Sequence, residues 1–255
     1  MTANWQWPCP RSSGYTAGVV ALGSNGSVLI VSMSLPATPK AVVFDLDGLM
    51  FNTEELYEQV GADILRRRGK AFDAELIDAM MGRPASAALQ LMIDWHSLND
   101  TIEQLADETD AIFASLLDKQ LALMPGLDRL LTRLDETAVP KAIATSSGPE
   151  FAHDVLDRFG LRPRFAFVLT AADIRHGKPD PEIYLLAAQR LGVVPPQMVV
   201  LEDSANGCRA AVAAGAIAVA VPAGHSRRHT FEGAALVADT LADQELWKLL
   251  AIAHD

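Results

Sequence analysis

With 255 residues, half of them hydrophobic and 21% charged, the chain can form one large domain or a domain with an insertion, and its composition is that of a globular protein. A formal net charge of −11 excludes nucleic acid and anionic membrane as partners of the surface at large, and any anion site must be locally positive. Cys9 and Cys208 show no metal-like or disulfide-like spacing, no apolar run approaches the roughly 18–20 residues of a membrane helix, and a reducing cytoplasm is the expected location.

Residues 1–38 are Gly/Ser-rich without strong periodicity, and tryptophans and prolines ahead of the apolar stretch argue against a signal peptide. A disordered tail is expected there, or a start placed too early with Met33 as the true one. From Lys40 onward short apolar runs alternate with helical stretches. The runs are "AVVFD" (41–45), "KAIAT" (141–145), "FAFVLT" (165–170), "MVVLED" (198–203), "AIAVAV" (216–221) and "ALVAD" (235–239). Helical periodicity marks "GLDRLLTRLDE" and "PEFAHDVLDRFG" between them. This alternation predicts an α/β fold, a parallel sheet built from βαβ units with helices on both faces.

One region breaks the alternation. From about Thr53 to Leu123 no strand is visible, and four segments carry helical spacing: "EELYEQVGADILRRRG", "DAELIDAMMG", "ASAALQLMIDWH" and "TIEQLADETDAIFASLLDKQL". An all-α insertion after the first strand is expected, placed to close over the strand end as a lid. Arg66 to Arg68 read as an exposed helix face.

Four pieces stand at strand ends or the loops beside them. "DLDG" (45–48) places two carboxylates after a buried strand, where packing does not call for them. "ATSSG" (144–148) is a hydroxyl cluster ahead of a helix near Pro149. In "GKPDPEIY" (177–184), Pro179 keeps Lys178 out of helical geometry, while Asp180 and Pro181 suit the N-cap and first turn of a helix. "LEDSANG" (201–207) supplies two acids and Ser204 as a cap. In parallel sheets ligands bind beyond the carboxyl ends of the strands, so these residues are expected to meet.

Their chemistry is that of a metal and phosphate site. Asp45, Glu202, Asp203 and the backbone carbonyl of Asp47 offer oxygens to a hard cation such as Mg²⁺. Thr145, backbone N–H groups and the Lys178 ammonium would hold phosphoryl oxygens. Asp45 is the expected nucleophile and Asp47 the general acid and base. Ser146 and Ser147 read as phosphate-side donors or loop residues, Ser146 as substrate-binding. Arg83 in "MGRP" is the cap residue expected to touch substrate, and "HSRRH" (225–229) reads as a solvated basic loop.

"FDLDG", Thr145, "GKPDP" and "LEDSANG", in that order, resemble the four motifs of the haloacid dehalogenase-like (HAD) superfamily. The helical insertion resembles its β-phosphoglucomutase-like and phosphoglycolate-phosphatase-like branch. The likeness runs from Lys40 to about Pro222. It implies a Rossmann-like core at residues 39–52 and 124–255, a helical cap at 53–123, and Mg²⁺-dependent phosphoryl transfer through an aspartyl phosphate. Leu49 stands where the family mostly has a small residue, and Asn52 where many members have Asp. Tyr57 occupies the place of a mutase histidine, and Arg83 is offset from the mutase arginine. These departures favour a phosphatase acting on a small phosphorylated metabolite, of the sugar-phosphate or phosphoglycolate type, over a phosphosugar mutase. A phospho-ligand sensor with a disabled site is the non-enzymatic alternative, and the sequence leaves the oligomeric state unspecified.

Overall fold

The computed structural model describes residues 39–80 and 83–252, and the expectation for residues 1–38 lies outside them. Six apolar segments form β1 (Ala41–Phe44), β2 (Lys141–Ala144), β3 (Val168–Leu169), β4 (Met198–Glu202), β5 (Ile217–Ala220) and β6 (Leu236–Val237). They make one sheet in the order β3-β2-β1-β4-β5-β6, every neighbouring pair parallel. All six lie within the apolar runs. At the two edges the regular strands cover two residues of "FAFVLT" and two of "ALVAD", and backbone bonds from the N–H groups of Ala166, Ala235 and Ala238 carry the pairing past them. Phe165 leaves the ladder to pack edge-on against Phe44, with ring centroids 5.7 Å apart.

Between β1 and β2 the chain makes α1 (Thr53–Arg67), α2 (Ala74–Met80), α3 (Ala85–His96) and α4 (Ile102–Gln120), with no strand among the described residues. α1 buries Leu56, Val60, Ile64 and Leu65 at helical spacing and packs on α4, which buries Leu105, Phe113 and Leu117. A reciprocal cap between Thr101 and Gln104 starts α4. Arg68 departs from the exposed face expected of it. Its guanidinium bonds Asp100 (2.6 Å) and Glu108 (2.8 Å), its side chain only 20% exposed, and so ties α1 to α4.

The segments that enter and leave this helical insert are clamped by Asn52. Its Nδ2 donates to the Gln120 carbonyl (3.2 Å) and its Oδ1 accepts from the Ala122 N–H (2.8 Å). No helix among the described residues is long and apolar enough to cross a membrane.

The remaining helices are α5 (Leu127–Glu136), α6 (Pro149–Arg158), α7 (Glu182–Leu191), α8 (Ala205–Ala213) and α9 (Gln244–Leu249). The two-residue period of the strands sorts them onto two faces. Val42, Phe44, Ile143, Val199 and Leu201 belong to a core shared with α5, α6 and α9. Ala41, Val43, Ala142, Ala144 and Val200 face α7 and the alanines of α8. α9, started by the Asp243 cap, buries Trp247 completely. The strand order reverses at β1, with β2 on one side and β4 on the other, and this opens a crevice beyond their carboxyl ends.

Candidate active site

Asp45 follows β1, Thr145 follows β2, and Glu202 and Asp203 close β4, so parallel strands deliver all four to one sheet edge. The Asp45 N–H donates to the Leu201 carbonyl and the Thr145 N–H to that of Leu169, each at 3.0 Å. These bonds extend the ladders one residue and set where the side chains leave the sheet.

Lys178 enters from the loop ahead of α7. Its ammonium donates to Asp45 Oδ1 (2.5 Å), Glu202 Oε1 (2.6 Å) and the Ala144 carbonyl (3.0 Å), which uses all three of its protons. The helix it precedes starts one residue later than the sequence implies. Pro181 is the cap, while Asp180 accepts from the Glu182 N–H (3.0 Å).

Glu202 is fully buried. Besides Lys178, its Oε1 accepts from the Tyr184 hydroxyl (2.5 Å), and its Oε2 accepts from the N–H (3.3 Å) and hydroxyl (3.0 Å) of Ser204. Ser204 Oγ in turn caps α8 by accepting from Gly207 N–H. A Cβ at Gly207 would collide with the Glu202 carboxylate, so the glycine lets the first turn of α8 close on it. Gly48 plays the same part for Asp203. Its φ of +72° turns the chain after Asp47, and a side chain there would strike the Asp203 carboxylate.

Asp47 is held by hydroxyls. Its Oδ2 accepts from Ser147 Oγ (2.6 Å) and Thr145 Oγ1 (3.2 Å), and Thr145 Oγ1 accepts from the Ser147 N–H (3.0 Å). Its Oδ1 is buried with no hydrogen-bond partner among the described residues. Ser147, which the sequence left without a specific role, thus takes the contact with Asp47, whereas Ser146 is exposed. No spacing rule picks Ser147 over Ser146, because residues 146 and 147 form a bend rather than extended chain.

Arg83 is exposed, and its Nε donates to the Ala79 carbonyl (2.6 Å) at the end of α2; no bond among the described residues joins it to the strand-end cluster. Glu54, in the first turn of α1, is the acid the sequence reading passed over. Burial, with Asp47 and Glu58 nearby, pushes its carboxyl up to about 7 from an ordinary 4.5, against a small opposing pull from His225. The "HSRRH" loop is not simply solvated either. The His225 side chain is 8% exposed and bonds Asp78 of α2, linking the loop after β5 to the helical insert.

Carboxylate oxygens of Asp45, Glu202 and Asp203 lie within 4.8 Å of one another. Burial, reinforced by the other acids, raises the carboxyls of Asp45 and Asp203 well above the usual range, although Lys178 pulls the other way. Lys178 itself would be lowered by burial, but Asp45 and Glu202 hold its ammonium well above its ordinary value. Three buried acids against one ammonium leave a deficit of positive charge among oxygen ligands, which is the charge and donor set a hard divalent cation fits.

Residues 42–221 match the family model described as haloacid dehalogenase-like hydrolase. A phosphorylated carbohydrates phosphatase of Thermotoga maritima is 33% identical over 180 residues, which cover 69% of this chain and 82% of that protein. The fructose-1-phosphate phosphatase YqaB of Escherichia coli is 34% identical over 181 residues, 71% of this chain and 95% of the relative. A HAD family hydrolase from Deinococcus radiodurans, solved with bound phosphate and sodium, superposes with a TM-score of 0.70 at 27% identity, covering 86% of this chain and all of that one.

Proposed function

The chain belongs to the haloacid dehalogenase-like hydrolase family, and we propose that it hydrolyses a small phosphorylated metabolite, a phosphate monoester of the sugar-phosphate type, with Mg²⁺ as cofactor. The single observation carrying this reading is the Lys178 ammonium bridging Asp45 and Glu202 beside Asp203. Phosphatase activity is named for both curated relatives described above.

Asp45 is the nucleophile. Lys178 holds its Oδ1 and so orients the second oxygen, which attacks phosphorus while the bond from phosphorus to the substrate alcohol breaks, leaving an aspartyl phosphate. Asp47 gives its proton to the departing alkoxide. Thr145 and Ser147 fix its Oδ2, so Oδ1, which no group among the described residues claims, is the oxygen that carries the proton. Asp47 then takes a proton from the water that attacks the aspartyl phosphate, and phosphate leaves with Asp45 restored. The N–H groups of Ser146 and Gly148 in the turn after β2 serve the phosphoryl oxygens, while the Lys178 ammonium, whose three protons are taken, contributes positive charge rather than a hydrogen bond.

Asp45, Asp203 and the Asp47 backbone carbonyl would hold Mg²⁺, with Glu202 beside them. Both Glu202 oxygens already accept protein hydrogen bonds, so its part is negative charge and a fixed seat for Lys178. Bound Mg²⁺ supplies positive charge that offsets repulsion between the carboxylates and the phosphoryl group. Residues 53–123 act as the cap, with Asn52 at the hinge. Cys208, a buried free thiol, agrees with a cytoplasmic setting. Tyr57, where the mutase resemblance would have histidine, is stacked on Phe113 at 4.1 Å, and this favours hydrolysis over mutase chemistry.

The test is a panel of phosphate esters scored for released phosphate with Mg²⁺ and with EDTA. Mg²⁺-dependent release is expected from the native chain, and Asp45→Asn should lower it at least a thousandfold, the scale of losing a covalent nucleophile. An unimpaired Asp45→Asn enzyme removes the nucleophile assignment. Isomeric hexose 6-phosphate formed from hexose 1-phosphate without free phosphate favours the mutase, and tight binding without turnover favours a sensor.

A further inference from the structure

Glu54 has no evident structural duty. It is half-buried in the first turn of α1, and no hydrogen bond or ion pair holds its carboxylate among the described residues. Its Cγ lies against one side of Gly48, 2.9 Å from where a Cβ would stand, and the Asp203 carboxylate lies against the same position. Asp47, Glu58 and Tyr57 are its neighbours closely enough to be felt electrostatically. A partly buried acid among acids, without a donor, is costly to the fold.

The cations nearby are committed elsewhere. Lys178 serves Asp45 and Glu202. His225 is on Asp78, and Arg228 lies 3.9 Å from the same carboxylate. Arg83 donates to the Ala79 carbonyl near the end of α2. Next to Glu54 runs an apolar wall. The Tyr57 ring stacks on Phe113, and Phe113 stands 5.8 Å from Phe151 of α6. Just beyond Asp47, the group that meets the departing oxygen in the proposed reaction, the protein therefore presents acceptor oxygens, negative charge and ring faces.

From this geometry we propose that Glu54 selects the leaving group, accepting hydrogen bonds from the hydroxyls of an uncharged polyol and excluding alcohols that bear a second anionic group. The inference rests on the phosphatase reading and narrows it, since carboxylated esters such as phosphoglycolate fall on the excluded side. Hydroxyl donors satisfy the empty lone pairs of Glu54. A carboxylate or second phosphate instead meets like charge in a partly desolvated site. At a separation of about 6 Å and an effective dielectric near 20, that costs roughly tenfold to a hundredfold in kcat/KM.

The experiment measures kcat/KM on glycerol 3-phosphate, fructose 1-phosphate, phosphoglycolate and fructose 1,6-bisphosphate, with p-nitrophenyl phosphate as an unselective control. The native enzyme is expected to prefer the two uncharged alcohols by about tenfold or more. Glu54→Gln should shrink that preference about tenfold by raising kcat/KM on the anionic esters, with half-saturating Mg²⁺ unchanged. Glu54→Asp keeps the charge with a shorter reach. It should still reject the anionic esters while losing kcat/KM on the polyol phosphates.

Equal native activity on phosphoglycolate and the polyol phosphates overturns the proposal. So does a uniform loss on all substrates in Glu54→Gln, or a shift in its Mg²⁺ half-saturation, which would make Glu54 part of the ion site. If the native enzyme releases no phosphate from any ester, the control included, it is the phosphatase reading itself that fails.

Discussion

Ser147 and Thr145 both donate to one oxygen of Asp47, at 2.6 and 3.2 Å, and leave the other without a partner among the described residues. Two hydroxyls on one oxygen fix the carboxyl plane, which matters for a group meant to carry a proton toward a departing alkoxide. Removing the shorter of these bonds should loosen that orientation without removing the acid. Ser147→Ala is expected to lower kcat about tenfold with little change in KM, on the scale of one hydrogen bond to a charged group. The same change at exposed Ser146 serves as the comparison, and steady-state kinetics on one good substrate decide it. Equal effects at the two serines would mean that the hydroxyl contact with Asp47 has no part in turnover.

At the scale of elements, the helical insert departs from and returns to the sheet through neighbouring segments, and Asn52 is the pin between them. It accepts from the Ala122 N–H and donates to the Gln120 carbonyl. An aspartate, which the family resemblance would put here, could make the first bond but not the second. Asn52→Asp sets a carboxylate oxygen against the Gln120 carbonyl and should cost about 1–3 kcal/mol in denaturant unfolding. Unchanged stability would show that the two segments are held by the remaining contacts, among them the bridge between Phe51 and Leu123. A second tie between insert and sheet, His225 to Asp78, comes from the loop after β5.

For the whole molecule, the acid cluster couples stability to pH and to metal. Burial and neighbouring acids raise Glu54 to about 7 from 4.5, and Asp45 and Asp203 shift in the same direction. Between about pH 4.5 and 7 the folded chain keeps a proton at Glu54 that the unfolded chain has released. Stability therefore falls as pH rises through that window, by up to about 3 kcal/mol from this group. In EDTA, the melting temperature is expected to drop from pH 5 to pH 7.5, and Glu54→Gln should flatten part of that slope. At pH 7.5, Mg²⁺ at a hundred times its dissociation constant should return about 2.7 kcal/mol. A melting temperature that rises with pH in EDTA, or ignores Mg²⁺, contradicts this electrostatic account.

The sequence alone determined the parallel α/β sheet, the helical stretch behind its first strand and the gathering of Asp45, Lys178, Glu202 and Asp203. Strand and helix periods are local properties, and parallel strands necessarily bring their carboxyl ends to one edge. Tertiary structure decided what those groups touch. Glu202 is saturated by Tyr184 and Ser204, Ser147 rather than Ser146 reaches Asp47, Arg68 and His225 tie separate elements together, and Glu54 stands beside the site with no bonded partner among the described residues. Each of these depends on ångström-scale distances between side chains placed by different elements, and no spacing along the chain encodes them.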